Sequence, residues 1–428
     1  MPEKPKGYAE KCMTAEQAVL RVRSGDRIVT GQGAGMPSVL LEALCKRDDL
    51  RKTEIFHVLT LGAAPYCAPE KQEVFRHNTI FAGASTRTAV QQGRADFTTS
   101  FFYQLPEWIR RNPFDVAMVQ VSPPDRHGYC SLGVSVDYAQ AAVATAGLVI
   151  AQVNKHMPRT LGDSFVHVDD IDCIVEYNEP LPELPGAKIG PVEEAIGRHC
   201  AELIRDGDTL QLGIGAIPDA VLLFLQDKKD LGIHSEMISD GVVSLIEKGV
   251  ITCRKKTLDR GKCVVGFLIG SRKLYDFADD NPFIEMRTID YVNDPQVIAR
   301  QDNMVSINSC LQVDLLGQVC SEAVGARQFS GVGGQVDFVR GAAMSRGGRS
   351  IIAMPSTAAR GTLSRIVAQH GEGAIITTSR NDVDIVVTEY GAAHLRGKTN
   401  QQRAESLIAI AHPDFREELR RRWRALFE

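Results

Sequence analysis

The chain has 428 residues, 44% of them hydrophobic and 24% charged, with a formal net charge of −4 and a pI near 6.2. That length predicts two or three domains with substantial cores, and so mild an acidity excludes a nucleic-acid surface. Residues 1–8 hold no apolar run of signal-peptide length. Residues 139–153 are too few, and too interrupted by Gln and Thr, to cross a bilayer. A soluble, cytoplasmic protein with no membrane partner is expected.

The first helical pattern spans 13–23, with Ala15, Ala18, Val19 and Val22 on one face. Thr14 and Gln17 form its capping box. Ser24-Gly25-Asp26 then stops the helix. The β-branched run Arg27-Ile-Val-Thr30 leads into Gly31-Gln-Gly-Ala-Gly-Met-Pro37, and helical spacing resumes over 38–44.

The same order returns in the second half. A helix over 191–204 is followed by Gly207-Asp208, the strand Thr209-Leu-Gln-Leu212 and the turn Gly213-Ile-Gly215-Ala-Ile-Pro218, with a further helix to 225. Gly25-Asp26 matches Gly207-Asp208, and Gly31-x-Gly33 matches Gly213-x-Gly215, both at one offset. This predicts an internal duplication. The proline-dense Glu179-Pro-Leu-Pro-Glu-Leu-Pro185 reads as the linker, placing the join near 187: one domain over 1–187 and another over 188–428. Further strands are predicted at 54–61, 115–121, 147–153, 263–269, 303–308, 350–354 and 384–388. They are apolar nearly throughout, as strands buried on both faces are. Two helices, over 401–410 and 413–426, close the chain. The fold class is therefore α/β, built as two similar open domains.

In such folds ligands gather at the carboxyl ends of strands. Several small-residue or polar turns follow strands here: Gly31 to Pro37, Ser122 to Gly128, Gly213 to Pro218 and Pro355-Ser-Thr357. Neither Gly-x-Gly pair completes a dinucleotide fingerprint, and no P-loop is present. Each pair fits a structural turn as well as a phosphate or coenzyme A cradle. The ten cysteines show no zinc-knuckle or dithiol spacing, so they read as reduced and structural, and no metal is expected.

One carboxylate stands out. Glu236 lies in Leu231-Gly-Ile-His-Ser-Glu-Met-Ile-Ser-Asp-Gly241, between two small-residue turns, and is expected on a short loop. A glutamate facing pre-placed amide donors suits a covalent nucleophile; an exposed loop acid or a helix cap is the plainer alternative. His127, His234, Glu389, Arg396 and Lys398 are weaker candidates, each fitting a structural or solvated role as well. Phe101-Phe-Tyr103, Thr86-Arg87 and 122–125 are where substrate selectivity is to be sought.

Pro123-Pro-Asp-Arg-His-Gly-Tyr-Cys-Ser-Leu-Gly-Val-Ser135, Met157-Pro-Arg-Thr-Leu-Gly-Asp163, Gln211-Leu-Gly-Ile-Gly-Ala-Ile-Pro218 and Gly232-Ile-His-Ser-Glu-Met237 follow one another along the chain. Ser306-Ile-Asn308, Gly331-Val-Gly-Gly-Gln-Val-Asp337 and Thr388-Glu-Tyr-Gly-Ala-Ala-His-Leu-Arg-Gly397 complete the series. In that order they resemble the acetyl-CoA hydrolase/transferase family, in particular its 4-hydroxybutyrate and butyryl-CoA:acetate CoA-transferases. The resemblance implies two CoA-transferase domains with the active site between them, and a homodimer or larger homo-oligomer. It implies Glu236 as the nucleophile that becomes a glutamyl-CoA thioester. Gln211, Leu212, Gly213, Ile214, Gly215 and Leu311 would line the coenzyme A site, with Gly333 and Gly334 near the thioester carbonyl. Coenzyme A would be a co-substrate, with no permanently bound cofactor, and the partners an acyl-CoA and a small carboxylate such as acetate, butyrate or 4-hydroxybutyrate. Gln312 departs from the glutamate expected there. The alternatives left open are an acyl-CoA hydrolase and a non-catalytic coenzyme A-binding protein.

Overall fold

The computed structural model describes residues 5–427; residues 1–4, half of the stretch read for a leader, and residue 428 lie outside the described residues. The chain forms two compact units. One takes in Met1–Pro185 and Val264–Val292, the other Gly186–Cys263 and Asn293–Glu428. A single cut at 187 differs from these units by the segment 264–292, which belongs with the first.

The first unit is a parallel sheet of seven strands. They are β1 (Arg27–Thr30), β2 (Thr53–Phe56), β3 (Phe75–Thr79), β4 (Asp96–Phe97), β5 (Val116–Val121), β6 (Leu148–Val153) and β7 (Cys173–Glu176), in the spatial order β4-β3-β2-β1-β5-β6-β7. Every residue of β5 is buried, the signature of a strand covered on both faces. The core packs Leu40, Leu44 and Tyr66 against Ile28, Ile55 and Val116.

In the second unit β8 (Thr209–Leu212), β9 (Gly232–Ile238), β10 (Met304–Ser309), β11 (Arg349–Ala353), β12 (Ile385–Thr388) and β13 (Gly391–His394) run in the order β9-β8-β10-β11-β12-β13. The pairs from β9 to β12 are parallel, and β13 is antiparallel to β12. Ile352, Val386, Leu407 and Trp423 belong to its core. The duplication is visible here. β1 and β8, each ending in a Gly-x-Gly turn, are each flanked by the next strand on one side and a later strand on the other. Such a reversal of strand order is where open α/β sheets bind ligands, at the carboxyl ends of the strands.

Local expectations meet three corrections. The helix predicted over 13–23 is confined to Ala15–Val19. Thr14 and Gln17 do form the capping box, but Arg21 and Val22 donate to carbonyls three residues back, the tightened geometry that ends a helix. The helix expected from Asp219 starts at Ala216, inside the glycine turn. Glu236 lies on strand β9 rather than on a loop. Its Gly-Ile-His-Ser-Glu composition carries little strand propensity, and pairing with β8 supplies what the local sequence lacks.

Among the described residues no helix is long and apolar enough to cross a membrane.

Candidate active site

The parallel registers place the site. Thr209 pairs with Gly232 and Leu210 with Ile233, so continuing that register sets Glu236 level with Gly213. Leu212 pairs with Ile307, which sets Asn308 on the other side of the same glycine. Glu236, Gly213 and Asn308 therefore form a row across the carboxyl edge of the sheet, at its switch point.

Alternation along β9 puts His234 and Glu236 on one face. His234 is fully buried, edge-on to Phe338 with ring centroids 6.4 Å apart. Phe338 lies on the helix Gln335–Met344, and Glu236 meets the start of that helix. A Cβ built on Gly334, the helix N-cap, would press on both the Glu236 carboxylate and the Asn293 amide, closer than real Cβ atoms approach anything. Glycine at 334 is thus required by contact, since its φ of −91° suits any residue. Gly333 is favoured by conformation, with φ at +52°.

Asn293 Nδ2 donates to Glu236 Oε2 at 2.9 Å and to Asp337 Oδ2 at 3.3 Å. One amide group therefore bridges two carboxylates. Asp337 is 1% exposed and occupies the first turn of the helix, where the helix dipole favours negative charge. Glu236 itself is half-buried, so its carboxylate is both held and reachable.

The other predicted residues divide. The Gln211 and Asn308 side chains form a reciprocal amide pair, at 3.0 and 3.3 Å. Leu212 is core, 3% exposed, and its backbone exchanges hydrogen bonds with the Ser235 hydroxyl, binding β8 to β9 beside the nucleophile candidate. Gly213 and Gly215 face open space, with nothing near an added Cβ, and Ile214 is exposed. A backbone with room beside it at a strand end can receive a ligand. Leu311 follows β10 by two residues, and its N–H donates to Cys320. Gln312 Oε1 lies 3.1 Å from His370 Nδ1.

The weaker candidates take structural roles. His127 lies in an exposed turn closed by Asp125, Arg396 faces Asp384 at 3.7 Å, and Lys398 donates to Ser406. Glu389 accepts from the Ser356 backbone N–H at 2.8 Å and hydroxyl at 2.5 Å, tying the ends of β11 and β12 together. Phe102, amid the aromatics proposed for selectivity, is core. Among the described residues no cluster of His, Cys, Asp or Glu could hold a metal ion.

Asn293 was not among the predicted site residues. It lies 57 positions from Glu236, and no local motif marks it.

Comparison with known proteins agrees over the full length. The N-terminal domain of the acetyl-CoA hydrolase/transferase family matches residues 2–185, and its C-terminal domain matches 270–423. The 4-hydroxybutyrate coenzyme A transferase of Clostridium kluyveri is 58% identical over 98% of this chain and 99% of its own. Among solved structures, 4-hydroxybutyrate CoA-transferase from Porphyromonas gingivalis superposes with a TM-score of 0.85 at 45% identity, covering 98% of this chain and 99% of the other. RipA from Yersinia pestis does so with a TM-score of 0.94 at 40% identity, covering 98% of both. Relatives named as acetyl-CoA hydrolases stand further off, at 25% identity. The chain is therefore a CoA-transferase of the acetyl-CoA hydrolase/transferase family.

Proposed function

We propose that the chain moves coenzyme A between a short-chain acyl-CoA and a free carboxylate through a thioester on Glu236. The observation that carries the reading is the setting of Glu236. It stands at the switch point of the sheet, with an amide donor on one oxygen and a glycine packed over it.

Glu236 attacks the acyl-CoA carbonyl and expels coenzyme A thiolate, leaving an acyl–glutamyl anhydride. The thiolate then attacks the glutamyl carbon, releasing the first acid and leaving Glu236 as a thioester. An incoming carboxylate reverses these steps. Each step passes through a tetrahedral oxyanion, and one well-placed donor to such an oxygen is worth about 3–4 kcal/mol. Coenzyme A lies along Gly213, Ile214 and Gly215 after β8, with Gln211 and Leu212 fixing that turn from within and Leu311 at the neighbouring strand end. Gly333 and Gly334 stand over the glutamyl carbonyl. Acetate, 4-hydroxybutyrate and butyrate are the acids of choice, on the names of the relatives.

The ten cysteines are free thiols, which fits a reducing compartment and a cytoplasmic enzyme. A homodimer is expected, and light scattering on the purified protein checks it. The function is tested by coenzyme A exchange between acetyl-CoA and a panel of acids. Exchange onto short-chain acids, lost in Glu236→Ala, is the expected result; exchange retained in that variant refutes the role of Glu236. Steady release of free coenzyme A with no acid preference identifies a hydrolase instead.

A further inference from the structure

We propose that the amino edge of the first unit's sheet binds a guanidinium group, held by Asp26 and Asp115, in the place that the Arg349 side chain fills in the second unit.

The duplication carries the inference, because one half shows what the other lacks. Residues 18–26 and 200–208 repeat at the offset of the Gly-x-Gly turns, hydrogen bond for hydrogen bond. The Arg21 and Val22 N–H groups donate three residues back, as do those of Leu203 and Ile204. The Arg23 N–H donates to Asp26 Oδ2 at 2.7 Å, and that of Arg205 to Asp208 Oδ2 at 2.6 Å. The registers extend the match to the neighbouring strands. Ile28 pairs with Val116 and Val116 with Leu148, just as Leu210 pairs with Val305 and Val305 with Arg349. Leu148 therefore stands where Arg349 stands.

Arg349 Nε donates to the Leu203 carbonyl at 2.7 Å, and its Nη2 donates to Asp208 Oδ2. The matching acceptors in the first unit are the Arg21 carbonyl and Asp26. Among the described residues the Asp26 carboxylate takes only the Arg23 N–H, and the Asp115 carboxylate only the N–H of Arg27, at 2.8 Å. Leu148 supplies no donor to either. A cavity of about 670 Å3 lies there instead, lined by Asp26, Asp115, Arg21, Arg23, Leu20 and Leu148 among others. That volume falls within the range of ligand sites. Leu20, 64% exposed, and Leu148 offer an apolar wall to the methylene stem that carries a guanidinium. A planar, many-donor cation suits a carboxylate beside a carbonyl better than a point charge does.

The arginines of the lining do not exclude such a guest. Arg21 Nη1 is engaged with the Cys173 thiol at 3.1 Å. Arg23 has its counterpart in Arg205, beside which the second unit seats its own guanidinium. Burial and Arg205 both oppose the Arg349 charge, and Asp208 holds it nonetheless.

The test uses the full-length protein with its leucine methyl groups 13C-labelled, so that Leu20 and Leu148 report from the cavity by NMR. The probe is N-acetyl-argininamide, with the neutral citrulline counterpart and inorganic phosphate as controls. The arginine probe should shift both leucines saturably and bind about 10-fold more tightly than the citrulline compound. Asp26→Asn keeps an acceptor for the Arg23 N–H and should weaken the probe by a similar factor. A glycine peptide with one central arginine binding more tightly than free arginine assigns the group to a protein segment; the reverse assigns it to a free guanidine. Leu148→Arg tests the same geometry without a ligand. Its thermal transition should lie about 2–4 °C above that of Leu148→Gln, the probe should no longer shift Leu20, and Asp26→Asn should cancel the gain. No saturable shift with the arginine probe, an equal response to the citrulline compound, or a response to phosphate in its place overturns the proposal. So does a Leu148→Arg transition no higher than that of Leu148→Gln, and this comparison decides the matter should Asp26→Asn not fold.

Discussion

Replacing Gly334 with alanine adds one methyl group, and its effect can be worked from the geometry. At φ −91° and ψ 3° the backbone accepts alanine without strain, so the whole effect is one of contact. The new Cβ would overlap Glu236 Oε2 first and Asn293 Nδ2 next. Ordinary contact begins near 3.4 Å, so the carboxylate must withdraw by more than 1 Å and the amide by about 1 Å, roughly the misplacement that costs about 100-fold in rate. Glu236 is half-buried and can swing outward, so overpacking should cost stability no more than about 1–3 kcal/mol. Gly334→Ala should therefore remain folded, with its thermal transition lowered by no more than several degrees. Its exchange rate between acetyl-CoA and a short-chain acid, followed by separating the two thioesters, should fall about 100-fold. A rate within about 3-fold of wild type would show that Glu236 does not need the position it occupies, and the geometric reasoning would fail.

Arg403 offers the converse, a stability effect remote from the chemistry. It is 8% exposed and donates to the carbonyls of Leu316, Leu395 and Arg380 at 2.8, 3.1 and 2.8 Å. Arg403→Ala should cost about 3 kcal/mol and lower the melting temperature by several degrees, with the exchange rate at 25 °C unchanged; an unshifted transition in calorimetry refutes this. Acid should destabilise the first unit through His57 and His77, whose buried rings stack at 4.3 Å. Burial depresses both below the ordinary 6.5, His77 to about 4. Both are neutral when folded and take up protons on unfolding, so their contribution is complete above pH 6.5 and lost as the pH falls towards 4. Asp137 acts in the opposite sense, since burial raises its carboxyl to about 6 and the folded form gains stability as pH drops through that value. Comparing wild type with the His57→Phe/His77→Phe double variant isolates the histidines. The variant's urea midpoint should fall less between about pH 7 and about pH 5, and equal falls refute the assignment.

Much of the architecture was legible because β-branched runs and glycine turns leave marks in the sequence. The strand at 116–121 is apolar but for Gln120, and the two Gly-x-Gly turns carry the duplication. Strand β9 was not legible. Gly232, His234, Ser235 and Glu236 are poor strand formers, and only the neighbouring β8 draws them into the sheet. That 264–292 groups with the first compact unit left no mark either, since its strands, Cys263–Leu268 and Ile284–Met286, read in the sequence like any others. At the site, Gly334 was readable as part of a small-residue turn, but not that the Glu236 carboxylate fills the space a side chain would take. Asn293 was hidden for a different reason. Its importance lies in two partners, 57 and 44 residues away, which only the tertiary fold brings to one amide.

The account turns on a covalent bond to one side chain, and mass spectrometry tests it directly. The enzyme is incubated with acetyl-CoA without an acceptor acid, digested, and its peptides weighed. The account predicts a coenzyme A adduct on the peptide carrying Glu236, discharged on adding acetate, butyrate or 4-hydroxybutyrate. Coenzyme A transfer between acids with no adduct at Glu236 under any quench, or an adduct on another residue, would contradict it.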